Sequence, residues 1–200
     1  MDKLMNSVIS KIDTRNPIHA GKLRKNIQRA DREYLDKAEV FLDKYVKILA
    51  GMGKDLDYGV DCYHMMISEM MYEQVRFMES GRYANTSFEE VNRKVYGNPQ
   101  VMTYYMHGLL LSQFLWRHHY LIFKFFTGSL GKYRTVIKNY LEIGGGHGLF
   151  ISEALELLEK EVKYEFIDIS SSSIEIAKQF VGSKRVNYIL EDIFKFNIPH

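Results

Sequence analysis

Tyr140-Leu141-Glu142-Ile143-Gly144-Gly145-Gly146-His147-Gly148 decides how this chain is read. An apolar run ends in an acid, and glycine then recurs at every second position. Gly144, Gly146 and Gly148 carry no Cβ, so the backbone can turn sharply there and let a ligand approach closely. Leu149 to Glu159 follows with apolar residues near helical spacing. The stretch therefore reads as strand, glycine turn, helix, the layout of a nucleotide-cofactor site.

The spacing discriminates between cofactors. A dinucleotide fingerprint requires Gly-x-Gly-x-x-Gly. Counted from Gly144, the last glycine falls on Leu149; from Gly145, His147 takes the second glycine position; from Gly146, Ile151 takes the last. No register fits, which disfavours a nicotinamide-dependent dehydrogenase. The pattern present is Glu-x-Gly-x-Gly-x-Gly, from Glu142 to Gly148.

The residues downstream extend the unit. Val162 to Asp168 reads as a second strand ending in an acid, about 20 residues past the loop, where a carboxylate can accept hydrogen bonds from ribose hydroxyls. Ser170 to Ser173 offers a helix N-cap, and Ile174, Ala177 and Val181 give a short amphipathic helix. Val186 to Leu190 is a third strand, followed by Glu191-Asp192-Ile193-Phe194.

From Tyr140 onward the chain resembles the class I S-adenosylmethionine-dependent methyltransferases, with Glu142 to Gly148 as their motif I. The glycine loop with His147, Glu191 to Phe194, and Ile198-Pro199 are similar to the small-molecule O-methyltransferase branch. The resemblance implies an α/β fold: a helical amino-terminal domain, then three parallel strands with helices forming the first half of a Rossmann-like sheet. It implies S-adenosyl-L-methionine as cofactor and a small-molecule methyl acceptor, O-methylation being preferred and N- and C-methylation open. It assigns cofactor binding to Glu142, Gly144, Gly145, Gly146, Gly148, Asp168, Ile169, Asp192 and Ile193. Asp168 would serve the ribose, Asp192 and Ile193 the adenine.

Upstream, the pattern is helical, with domains expected over 1–130 (lid, substrate or dimerisation domain) and 131–200 (cofactor domain). Met1 to Pro17 reads as loosely held, with at most a short helix. One long helix is expected from about His19 to Gly51, and a second from Tyr58 to Ser80 with Val60, Tyr63, Ile67, Met71, Val75 and Met78 on one face. A short helix follows Ser87, which forms a capping box with Glu90. Asn98-Pro99 opens a long helix, apolar on nearly all sides to Phe126, and a last short one spans Lys132 to Lys138. This part departs from the winged-helix dimerisation domain common in the O-methyltransferase branch. A lid helix could align the acceptor through Tyr104, Tyr105, His107, His118 or His119, of which Tyr104, His107 and His118 are the catalytic candidates. Core aromatics and surface histidines explain the same residues more simply. The methionines at 65, 66, 70 and 71 read as core or dimer packing.

Composition narrows the classes. A net charge of +2 gives no electrostatic case for nucleic acid. The first 54 residues hold 12 Lys/Arg against 7 Asp/Glu, spread along a helix as a solvated face. Cys62, the single cysteine, fits a reducing compartment and a small buried side chain. With no apolar leader and no stretch long enough to span a bilayer, the expectation is a cytoplasmic protein without membrane contact. Adjacent His118 and His119 point apart, and His64 and Glu69 lie five apart, so no metal site is expected. A homodimer through the amino-terminal helices is an expected partner. The resemblance also implies further strands beyond β-strand one that these 200 residues do not contain. A fragment of a longer enzyme, with its general base elsewhere, is the expectation; a regulatory, non-catalytic cofactor binder completed by a partner chain is the alternative.

Overall fold

The computed structural model describes residues 3–196; Ile198 and Pro199, part of the resemblance, lie outside them. The fold is mixed α/β. Helices α1 (Lys3–Arg15), α2 (Pro17–Gln28), α3 (Arg32–Gly51) and α4 (Leu56–Ser80) come first. Helix α5 (Phe88–Val91) continues into a π-helical turn, Asn92–Tyr96, and α6 (Pro99–Leu115) and α7 (Arg117–Lys132) follow. Then strand and helix alternate: β1 (Asn139–Ile143), α8 (Leu149–Leu157), β2 (Lys163–Asp168), α9 (Ser171–Val181), β3 (Val186–Leu190). The chain divides into two compact units, Met1–Ala84 with His107–Ile122, and Asn85–Met106 with Phe123–His200.

The first unit is helical. Contrary to the loose segment expected before Pro17, α1 is a formed helix that buries Met5, Val8, Ile9 and Ile12. Their spacings of three, one and three make a single apolar stripe. The Glu39 carboxylate accepts from the backbone N–H of Leu4 (3.1 Å) and Met5 (2.8 Å), supplying partners that the first turn of a helix lacks. Arg15 bridges Asp57 and Asp61, and Lys11 pairs with Asp57, fastening α1 to α4.

Three other helix boundaries differ from expectation, each for a local reason. The long helix from His19 to Gly51 is two, because Asp31 caps α3 by accepting from the Tyr34 N–H (2.8 Å). The helix opened by Asn98-Pro99 breaks at Trp116 instead of running to Phe126. Residues 133–136 form turns and 137–138 are irregular, instead of the short helix expected at Lys132 to Lys138. In α4, Asp55 caps the start and Gly81 (φ +67°) closes the end, close to the expected span. Its apolar face is buried only in the first half: Val60, Tyr63 and Ile67 are buried, whereas Met71, Val75 and Met78 are exposed.

The second unit carries the sheet, strand order β1-β2-β3, all parallel. The register pairs Glu142 with Phe166 and Phe166 with Tyr188, so these three form one row on one face. Helices α8 and α9 cover that face, where Ile151, Ala154, Ile174 and Ala177 join Tyr164, Phe166 and Val186 in one core. Parallel strands require crossover connections, and α8 and α9 are those crossovers. Among the described residues no helix is long and apolar enough to cross a membrane.

Candidate functional site

The carboxyl ends of all three strands open on one cavity of about 620 Å³ within the second unit. Its floor is Ile143, Gly144 and Gly146 after β1, Ile167 to Ile169 at the end of β2, and Glu191 to Phe194 after β3; Ser173 of α9 joins them. Phe88, Tyr96, Met102 and Met106 line it from residues 85–106. In open α/β sheets this is the end at which ligands bind.

The loop is shaped by glycine chemistry. Gly144 (φ +64°) and Gly146 (φ +56°) take left-handed conformations that strain any residue with a Cβ. A Cβ on Gly146 would sit 3.2 Å from Met106 Sδ, so the bare backbone lets the methionine close over the loop. Gly145 and Gly148 have a different task. A Cβ at Gly145 would meet the Phe166 ring (Cζ 2.6 Å) and Glu142 Oε1 (2.8 Å), and one at Gly148 would meet Ala177 Cβ (2.9 Å). They permit close packing beneath and beside the cavity and are not among its lining residues.

Asp168 fixes the loop. Its Oδ2 accepts from the Gly146 N–H (3.0 Å) and its Oδ1 from the Ser170 N–H (2.8 Å). Burial raises its pKa, and the backbone N–H groups of Ser170, Gly146 and Ile169 act against that shift. Of the carboxylate's roughly four acceptor sites, one is left for a ligand hydroxyl. Ser170 in turn caps α9, accepting from the Ser173 N–H. Asp192 uses Oδ1 on the Phe194 N–H (3.0 Å), which shapes the turn after β3.

Glu142 lies under the loop and does not line the cavity. Tyr140 donates to its Oε2 (2.8 Å), yet burial dominates and pushes its pKa up to about 7. Of the sequence-derived residues, the cavity brings together Gly144, Gly146, Asp168, Ile169, Asp192 and Ile193. Glu142, Gly145 and Gly148 support it from behind.

The catalytic candidates do not meet there. Tyr104 is buried in the second unit but does not line the cavity. His107 belongs to the first unit, buried, with Nδ1 3.0 Å from the Tyr45 hydroxyl and its pKa pushed down to about 4 by burial. His118 is exposed and stacks on Trp116, while His119 lies 2.8 Å from Ser112 Oγ. Helical spacing alone could not separate these histidines from the core of the helical unit.

Phe88, Tyr96, Met102, Met106 and Ser173 line the cavity without having been named as site residues from the sequence, as do Ile143, Ile167, Glu191 and Phe194 from the strand ends. The capping box put Phe88 at a helix start, and Tyr96 ends the π-helical turn closed by the Gly97 N–H on the Asn92 carbonyl (2.6 Å). Such turns often mark functional sites, but nothing in the residue pattern announces one. Among the described residues no group of three or more His, Cys, Asp or Glu lies placed to hold a metal ion. The cavity's charged lining residues are Asp168, Glu191 and Asp192, all acids.

Comparison of the chain with protein-family models, with curated proteins and with solved structures returned no match.

Proposed function

We propose that the second unit binds S-adenosyl-L-methionine and that the protein transfers its methyl group to a small molecule, with oxygen the preferred acceptor atom. The observation that carries this is the charge of the cavity beside the glycine loop. Among the described residues, three carboxylates and no lysine, arginine or histidine line it. A nicotinamide dinucleotide brings a pyrophosphate, which this lining would repel; a sulfonium brings a positive charge, which it favours. The parallel order β1-β2-β3, with a glycine loop after the first strand and an acid ending the second, supports reading the sheet as the first half of a Rossmann-like methyltransferase domain.

The residues fit such a ligand. Gly144 and Gly146 let it approach the backbone, Asp168 has an acceptor site for a ribose hydroxyl, and Asp192 and Ile193 flank the adenine position. A bound donor would supply an electrophilic methyl carbon, to be taken by an acceptor that enters as its oxyanion, with the carbon–sulfur electrons left on sulfur. The chain's part is to align the two and exclude water, for which Met102, Met106, Phe88 and Tyr96 provide apolar cover.

A second reading is a cofactor-binding or regulatory protein without turnover. It is favoured by the absence, among the described lining residues, of any histidine, lysine or cysteine to take the acceptor's proton. Calorimetric titration with S-adenosylmethionine, its demethylated product and NAD tests the proposal. Micromolar binding of the first two and none of NAD is expected; NAD binding alone would overturn it. Release of demethylated product with an acceptor separates enzyme from binder.

A further inference from the structure

The second half of α4 is exposed on every side. From Ser68 to Ser80 every residue of the helix is exposed, and Met70, Met71, Tyr72, Val75, Phe77 and Met78 expose between 39% and 77% of their surface, Phe77 least because it packs on Tyr83. A helix this short is marginal in water on its own. Its side chains are nevertheless sorted. Met71, Val75 and Met78, at spacings of four and three, fall on one stripe, flanked by Met70, Phe77 and Tyr72. Glu69, Glu73, Arg76 and Ser80 form the opposite stripe, where Arg76 pairs with Glu73 (3.8 Å). The segment is amphipathic, with its apolar side facing no core.

We infer that this stripe pairs with the same stripe of a second copy, the two helices running antiparallel about a two-fold axis near Gln74 and Val75. That arrangement sets Met71 opposite Met78 and, on one flank, Met70 beside Phe77 of the other copy, so the surface complements itself. The charges all but avoid the contact: Glu79 alone stands at its margin, so two copies meet without apposed like charges. Three acids and one base between 68 and 80 make an anionic lipid surface the poorer partner. Six large apolar side chains offering on the order of 100 Å² each approach the roughly 800 Å² per partner of a standard interface. A dimer of micromolar strength follows. Methionine suits such a contact because its unbranched thioether adapts to an opposing side chain.

Sedimentation of the full chain over a range of concentrations tests this. The wild type should pass from monomer to dimer at micromolar concentration, and Met71→Glu with Met78→Glu should weaken the dimer at least 100-fold while leaving the circular dichroism unchanged. Oxidising a mixture of Met71→Cys and Met78→Cys chains should give the mixed disulfide in preference to either self-pair. A monomer at 100-fold higher concentration, or a dimer indifferent to the two glutamates, would overturn the inference. Self-pairing of Met71→Cys would show a parallel contact and overturn the antiparallel geometry.

Discussion

The amide N–H of Gly146 donates to Asp168 Oδ2 across 3.0 Å, tying the glycine loop after β1 to the end of β2. One carboxylate thereby shapes the loop and lines the cavity. Asp168→Ala should weaken S-adenosylmethionine binding by roughly 1.5–3 kcal/mol, the worth of hydrogen bonds to a charged group. Calorimetry reads this directly, and an affinity within twofold of wild type would remove Asp168 from the site.

Gly144 and Gly145 are neighbours with opposite constraints. A Cβ on Gly144 meets nothing within 4 Å but suffers φ +64°, whereas one on Gly145 collides with the Phe166 ring and Glu142. Gly144→Ala should cost about 1–2 kcal/mol of backbone strain. Gly145→Ala should cost at least as much, as overpacking of a core usually does, about 1–3 kcal/mol. Urea denaturation should find the larger m-independent loss at Gly145, because Phe166 is fully buried and has nowhere to retreat.

Glu142 makes stability depend on pH. Its carboxyl, raised to about 7, keeps a proton that the unfolded chain releases near 4.5. The folded state therefore loses ground as pH rises through this window, by about 3 kcal/mol once both forms are ionised. Glu142→Gln should match the wild type near pH 4 and exceed it in thermal stability at pH 8. Equal melting profiles at both pH values would contradict the buried acid.

His107 acts with the opposite sign. Burial holds it neutral down to about pH 4, against 6.5 unfolded, so its contribution is present above 6.5 and is lost as pH falls toward 4. His107→Gln should flatten the acid limb of the stability profile of the helical unit, measured by circular dichroism between pH 7 and 4.5.

What the sequence made legible was what local chemistry dictates. The third strand and the start of α9 stand where the residues put them, because Val186 to Leu190 is a bounded apolar run and Ser170 is a capping residue. Six of the nine cofactor residues named from the motif line the cavity, since a glycine loop and strand-end acids have fixed places in a parallel unit. The breaks at Asp31 and Trp116 escaped because the apolar spacing runs on through them. Phe88, Tyr96 and Met106 escaped because their position depends on tertiary folding of residues 85–106, which no spacing encodes. The exposed half of α4 escaped for a related reason: an apolar stripe looks the same whether it faces a core or water.

Parallel pairing also sets an order in time. Asn139 pairs with Lys163 and Tyr164 with Val186, partners about two dozen residues apart, so each strand must wait for a complete helix to be made before it finds its neighbour. Glu191 to Phe194 follow β3, so the last residues to reach the cavity are those that finish its wall. On the ribosome the glycine loop is thus made early and becomes a shaped site late, only after β3 has docked on β2.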